Sequence, residues 1–564
     1  MIRELLTSAF VKAATMARDA RRLSYTDLPA FTLERPSNIV FGDFSCNLGM
    51  LLASETQQPP RQVAQTLMDF LQLPPTLLER LEITGPGFIN LFLSHQWLHD
   101  VVRDIHAQGD GYGAGTAGNG TSVLVEYVSA NPNAPLGIAH GRGAVIGDVL
   151  CNVLRTAGYA VTREFYVNDA ATSTQMVRFG ESLVVRYLQV CGKDLAFPED
   201  GYHGSYVTEI ARRIYDTDGA AYVKMPPAER LERFTEMGLT AMLDWQRRVL
   251  ADLGVVFDHW FRENDLYTSR AVEDVVRELA AHGETYEADG AIWLASTRYG
   301  DEKDRPLVRS NGKPTYLASD VAYHREKFTR GFQMLIDIWG PEHHGYIART
   351  KAAMAALGYD PERLHILIFQ PVHAQRGSAF LSGAMPEHEA MPLSDLLDEA
   401  GRDAARFLLL RASADTELRL DLDLATRQDA DNPAYFVQHA YARIAGILRT
   451  AGEQGIALPD PAATDLSPMT DEVEISLMRR LTDLPEEILT AAELFEPHRI
   501  ARYAQELARE FRLFYDRCPV LIADTPAPLR DARLVLTGAV KIALHNVLTL
   551  LGVSAPERME KATV

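Results

Sequence analysis

Val123-Leu-Val-Glu-Tyr-Val-Ser-Ala-Asn-Pro-Asn-Ala-Pro-Leu-Gly-Ile-Ala-His-Gly-Arg-Gly-Ala144, followed after Gly158 by Val161-Thr-Arg-Glu-Phe-Tyr-Val167, decides the fold. Its first five residues are a short apolar run of buried-strand type. A polar, proline-containing loop reaches Pro135, and a helix is predicted from about Ile138 to Ala157, stopped by Gly158. Val161–Val167 is the next strand, so the stretch is a βαβ unit opening a doubly wound sheet. Ligands of such sheets bind at the carboxyl ends of the strands, where a helix N-terminus offers free N–H groups to phosphate. The small residues at 137, 139, 141 and 143 admit either a flat ligand or a tight helix–sheet contact, and His140 and Arg142 add donors.

Working outward, Gly109–Gly120 is glycine-rich but precedes a strand rather than following one. It therefore reads as a flexible linker and not as a dinucleotide loop. Residues 1–95 read as a small α+β unit, with helical spacing over Met1–Leu23 and Gln62–Leu71. Two strand segments flank Gly85-Pro86-Gly87. On the other side, residues about 176–260 are mainly helical and read as an insertion. Strands return at Ala291–Leu294, Pro306–Arg309, Met334–Trp339 and Leu364–Phe369. Beyond Asp421, apolar stripes over Tyr435–Thr450, Val473–Leu484, Glu486–Phe495, Arg499–Tyr515 and Ala532–Leu551 predict a helical bundle.

Composition agrees with a multidomain globular chain. It has 564 residues, 47% hydrophobic and 23% charged, which excludes disordered and collagen-like classes. A net charge of −20 tells against non-specific coating of DNA, yet leaves room for a large RNA held on one face. The long apolar runs are interrupted, as at Lys541 and His545, so no transmembrane helix is expected, and Glu4 and Asp19 argue against a signal peptide. Cys46, Cys151, Cys191 and Cys518 are too scattered for a zinc site or a disulfide framework, which suits a cytoplasmic setting. His343-His344 lacks a third ligand at metal spacing, and no metal site is expected.

Val125-Glu-Tyr-Val-Ser-Ala-Asn-Pro132, Pro135-Leu136 and His140-Gly-Arg-Gly-Ala144 together resemble class I arginyl-tRNA synthetases. So do Arg163–Asp169, Gly300–Arg305, Thr315–His324, Trp339–Tyr346, Asp431–Gln438 and Gly552–Met559. The resemblance spans nearly the whole chain in order, including Gly42-Asp-Phe44 and Gly85–Asn90. It implies an additional tRNA-contacting domain (1–108), a Rossmann-type catalytic domain (121–420, helical insertion at about 176–260) and an all-α anticodon-binding domain (421–564).

The implied activity, serving protein biosynthesis, is arginine–tRNA ligation: arginine is activated with ATP and transferred to tRNA(Arg). ATP is a substrate, Mg2+ accompanies it, and the protein is expected to be a monomer with no membrane partner. Carried over residue by residue, arginine falls to Glu126, Asn131, Tyr316, Asp320 and His343, Tyr316 and Asp320 sharing a helix face at i, i+4. A guanidinium wants such planar, charged acceptors. ATP falls to Gly137, Ala139, His140 and Gly141, with His140 and Arg142 as catalytic candidates. Arg443, Arg449, Arg502, Arg509 and Arg558 are candidate tRNA-facing cations.

Both ATP signatures of the family depart from pattern. HIGH is matched by Gly137-Ile-Ala-His140, which lacks the first histidine. The lysine-bearing second signature aligns with Ser382-Gly383-Ala384-Met385-Pro386, and no lysine lies between Lys351 and Lys541. Substitute cations are Arg142, Arg376 and His388. One histidine and two lysines, at roughly 1.5–3 kcal/mol for each charged hydrogen bond, amount to roughly 4–9 kcal/mol of transition-state stabilisation if additive. The alternatives are therefore a degenerate paralogue that binds arginine or tRNA without efficient adenylation, and an enzyme that passes arginine to another acceptor.

Overall fold

The computed structural model describes residues 2–559 apart from 37, 171–172, 378 and 381–390. Ser382, Gly383, Ala384, Met385, Pro386 and His388 lie outside the described residues.

The centre is a five-stranded parallel sheet. Its strands are β1 (Ser122–Glu126), β2 (Ala160–Val167), β3 (His259–Arg262), β4 (Met334–Trp339) and β5 (Leu364–Ile368). They lie side by side in the order β5-β4-β1-β2-β3, every pair parallel. The chain reverses its direction of travel across the sheet between β1 and β4, the crevice where ligands bind in such folds. Helix α1 (Ile138–Thr156) connects β1 to β2 and packs so closely that a Cβ at Gly147 would lie 2.3 Å from the Tyr127 ring. Helix α2 (Tyr316–Thr329) covers the opposite face.

Two of the predicted strands, at 291–294 and 306–309, join another sheet, and one further sheet is made of strands not expected from the sequence. Ala291–Leu294 pairs antiparallel with both Thr285–Ala288 and Arg305–Val308, while Val372–Arg376, Ala379–Phe380 and Leu418–Asp421 form a third small sheet. The insertion after β2 consists of helices Thr174–Val190, Ser205–Asp218 and Pro227–Asp252.

Residues 2–93 form a four-stranded antiparallel sheet with its own apolar core, flanked by helices Ile2–Asp19, Leu48–Thr56 and Pro60–Phe70. Gly87 closes the hairpin at φ +154, where a Cβ would meet Pro60 at 2.9 Å. The C-terminal helices run Pro433–Glu453, Glu472–Leu481, Leu484–Glu493, His498–Arg517 and Ala527–Leu551. Their core is continuous with the α1 side of the central sheet.

One expectation needs correction. Gly109–Gly120 is a packed connector, not a loose linker: the Tyr112 hydroxyl donates to Leu481 O at 2.7 Å, and Asn546 Nδ2 donates to Gly109 O and Tyr112 O at 3.0 Å each. Ala527–Leu551 is, by length and composition, apolar enough to cross a bilayer; 72% of its most apolar window is buried in the bundle, so packing accounts for that character.

Candidate active site

The chain turns sharply where β1 ends. Val128 (φ 69) and Ser129 (φ 42) both occupy the left-handed region, a strained place for a β-branched residue. Hydrogen bonds hold the turn: Ser129 Oγ donates to Glu126 Oε1 at 2.7 Å and accepts from the Tyr166 N–H at 3.1 Å, and Asn168 Nδ2 donates to Ser129 O at 3.2 Å. The turn lifts Asn131 to an exposed position beyond the strand end. Gln246 of the insertion braces it by donating to Asn131 O at 3.1 Å, and Tyr202 and Asn133 are joined at 2.8 Å.

A pocket of acids lies beside this turn. Asp320 projects from the first turns of α2. Burial pushes it up to about 6, His324 working against the rise and Glu126 adding to it. Glu263, just past β3, is only 7% exposed; burial and then the charge of Asp320 push it up to about 7. The buried Tyr166 hydroxyl has no hydrogen-bond partner among the described residues, and burial, followed by Glu263, Asp320 and Glu126, raises it well above its ordinary value. Three carboxylates thus converge with one unspent phenol. An incoming cation favours the ionised form of both raised acids, so its arrival releases their protons to solvent. Tyr316, 65% exposed, stands at the rim one helical turn before Asp320.

Glu126 is committed on both oxygens. Oε2 meets the ammonium of Lys327, which is fully buried and also donates to Asp337 Oδ1 at 2.7 Å. Burial alone would lower the Lys327 pKa, but Asp337 and Glu126 hold it above its ordinary range. Asp337 in turn sits at about 2, the cost of its burial outweighed by Lys327 and His324. His343 lies apart on the exposed turn after β4, 3.4 Å from Glu342.

The helix terminus over the strands is built by Gly137–Gly141. His140 Nδ1 accepts from the Gly137 N–H at 3.1 Å, fixing the ring against the first turn, and Ala139 is exposed. Gly141 departs from its expected place on the ATP face: a Cβ there would strike Leu393 at 2.6 Å, so it serves helix packing, as Gly143 does against Phe369. Arg142 also requires correction. It is 0% exposed and both terminal nitrogens are spent on carbonyls: Nη1 donates to Gln370 O at 2.6 Å, and Nη2 to Ser413 O and Thr416 O at 2.8 Å each. Arg376 is occupied by Glu399. Among the described residues no group of three or more His, Cys, Asp or Glu is placed to hold a metal ion.

Sequence reasoning missed Glu263 and Tyr166. Tyr166 lies within the quoted Arg163–Asp169 stretch, but the outer end of β2 gives no clue to which face its hydroxyl takes. Glu263 follows a short strand with no motif around it.

Comparison with known proteins agrees along the whole chain. A profile described as "tRNA synthetases class I (R), catalytic domain" matches residues 102–417. The chain belongs to the class I arginyl-tRNA synthetase family. The profile "Arginyl tRNA synthetase N terminal domain" matches residues 2–93 of this arginyl-tRNA synthetase family member, and "DALR anticodon binding domain" matches 437–559. Among relatives, the arginine–tRNA ligase of Moorella thermoacetica is 45% identical over 554 residues, covering 98% of each chain. That of Heliobacterium modesticaldum is 43% identical, covering 99% of each. The Thermus thermophilus arginyl-tRNA synthetase structure shares the fold at a TM-score of 0.79 and 23% identity, over 99% of this chain and 100% of that one.

Proposed function

We propose that the chain is an arginine–tRNA ligase: the arginine carboxylate attacks the α-phosphate of ATP, pyrophosphate leaves, and the arginyl group passes to the 3′ end of tRNA(Arg) with release of AMP. The observation that carries this is the acid cluster on the α2 side of the sheet, at the carboxyl ends of β1 to β3, where Asp320 and Glu263 press their charges on each other and on the free Tyr166 hydroxyl. A guanidinium supplies planar donors to two carboxylates at once.

In this reading Asp320 and Glu263 accept from the guanidinium, Tyr316 closes over it, and Glu126 and Asn131 define the end of the pocket nearest the ATP. His343 stands at the exposed edge of the β4 turn. ATP lies on Gly137, Ala139 and His140, its phosphates toward the α1 N-terminus. The HIGH position is altered at Gly137 and Ala139, and the second signature, at Ser382–Pro386, carries no lysine. Mg2+ would accompany ATP and offset the charge of its phosphates.

We take 1–108, 121–420 and 421–564 as the domain limits, with a monomeric, cytoplasmic protein. The tRNA docks on the N-terminal domain and on a bundle groove lined by Tyr435, His439, Arg443, Phe511 and Arg512. There Tyr435 stacks on His439 at 5.9 Å, and Arg443 lies over Tyr515 at 4.5 Å. Aromatic and cationic side chains on one face suit unpaired bases and their phosphates.

The altered ATP signatures favour one second reading, a paralogue that binds arginine and tRNA without efficient adenylation. Arginine-dependent ATP–pyrophosphate exchange, with and without tRNA, decides between them. Exchange establishes adenylation, and charging of tRNA(Arg) with labelled arginine then establishes the ligase; arginine binding without exchange under either condition establishes the paralogue.

A further inference from the structure

A row of polar side chains crosses four adjacent strands of the central sheet at one level. Asp337 of β4 is in register with Glu126 of β1, Glu126 with Glu164 of β2, and Glu164 with His259 of β3. Parallel strands covered on both faces ordinarily carry apolar residues at such positions. Here three of the four are acids, and each of the three side chains is almost wholly enclosed.

The α2 side of the sheet supplies the counter-charges. Tyr323 donates to Glu164 Oε1 at 2.6 Å, and Arg330 donates to Glu164 Oε2 at 2.5 Å and to Oε1 at 2.9 Å. His259 Nδ1 lies 2.7 Å from the same carboxylate. Lys327 joins Glu126 to Asp337, and its ammonium also lies 4.3 Å from the centre of the Tyr323 ring. His324 Nε2 is 2.8 Å from Asp337 Oδ2, while Nδ1 is 2.7 Å from the carbonyl of Asp320. Both ring nitrogens therefore face acceptors.

Removing this many charges from water is expensive, and apolar replacements of similar volume commonly match or exceed the stability of a buried ion pair. What such a row does supply is geometry. Each bond has one partner at one distance, so the row fixes the height and rotation of α2 above the strands. Asp320 sits one turn before His324 on that helix, tied to β4 through the His324–Asp337 bond.

We propose that Lys327 and His324 are positioning residues for the arginine subsite. Lys327 locks the ends of β1 and β4 together across the crevice and holds the Glu126 carboxylate in place. His324 carries the position of Asp337 to the helical turn that presents Asp320. Neither touches arginine. The inference rests on the assignment of this pocket to arginine.

The test uses the full-length protein with Lys327→Met, Asp337→Asn, His324→Asn and His324→Gln. Arginine binding is followed by calorimetry and exchange kinetics, alongside ATP KM and thermal unfolding. Gln places an amide near Nε2 and keeps the Asp337 link; Asn places one near Nδ1 and loses it. The expected result is a tenfold or greater rise in arginine Kd for His324→Asn and Asp337→Asn, substantial rescue in His324→Gln, and ATP KM within twofold of wild type. Arginine Kd within twofold of wild type in a folded His324→Asn protein would overturn the proposal. So would parallel losses in arginine and ATP affinity that track the melting temperature, whatever Lys327→Met does to folding. Wild-type protein that bound no arginine would overturn the pocket assignment itself.

Discussion

Asp320 presses its charge on Glu263, which burial and this neighbour together hold at about 7, while Asp320 itself stands at about 6. Both values exceed the usual carboxylate range. A guanidinium favours the ionised forms, so arginine binding releases protons wherever the free acids are partly protonated. Affinity is expected to rise with pH between about 5.5 and 8, by up to about tenfold per unit for each proton released. Calorimetry in two buffers of different ionisation heat reads the proton count directly. A pH-independent affinity across that range would contradict the pocket.

The same two acids affect stability with the opposite sign. Between the ordinary carboxylate range and about pH 7 the folded protein binds more protons at these sites than the unfolded chain does. Their contribution to stability is therefore lost as pH rises through that window. Glu263→Gln removes the penalty, so the variant is expected to melt higher than wild type at pH 8 and to bind arginine more weakly. Melting curves at pH 5.5 and 8 check both the sign and the window.

Asp320→Ala strips a carboxylate from a recessed cation and should weaken arginine binding by roughly 2–4 kcal/mol. That corresponds to about 30- to 1,000-fold in Kd. ATP binding, which uses the α1 terminus, is expected to stay near wild type. Titration of arginine and ATP separately makes the comparison.

Much of this was legible before any coordinates. The βαβ stretch at 123–167 announces a doubly wound sheet because strand runs, a glycine stop and a small-residue helix each have a local signature. Tyr316 and Asp320 share a face because helical spacing alone puts them there. Three things were not legible. Lys327, His324 and Asp337 look like ordinary residues of α2 and β4, and only strand register brings Asp337 level with Glu126. Arg142 carries a charge that sequence reads as a phosphate donor, whereas the chain 228 to 274 residues further on folds four carbonyls around it. Gly109–Gly120 has the composition of a linker, and its order comes from its own turns, from backbone bonds to Thr156–Gly158 and from partners such as Asn546, over 400 positions away.

The bundle groove gives a prediction independent of the catalytic pocket. Tyr435 stacks on His439, one turn along the same helix, and lines the groove proposed for tRNA. Loss of one such stacking partner costs roughly 1–3 kcal/mol of nucleic-acid affinity. Tyr435→Ala should therefore weaken tRNA binding by about 5- to 150-fold while arginine Kd is unchanged. Filter binding with tRNA at fixed salt, beside arginine calorimetry, separates the two effects. Equal losses in both would mean that the substitution disturbs the fold instead.

Arg142 provides the last test, because its geometry separates positioning from catalysis. The guanidinium ties α1 to the loops at 370–371 and 413–416, and burial pulls its pKa down to about 10, still charged at neutral pH. Arg142→Met keeps most of the volume but leaves several buried carbonyls without donors. The expected destabilisation is roughly 3–5 kcal/mol, the range for breaking a buried charged network. Arg142→Lys restores the charge but has no planar fork, so it should recover only part of the loss. Were Arg142 instead a direct ligand of ATP, lysine would restore ATP affinity while stability in both variants stayed close to wild type. Denaturant unfolding of the three proteins, paired with ATP KM, distinguishes the cases: the cage predicts that stability falls in both variants and that ATP KM changes only as far as the α1 terminus shifts.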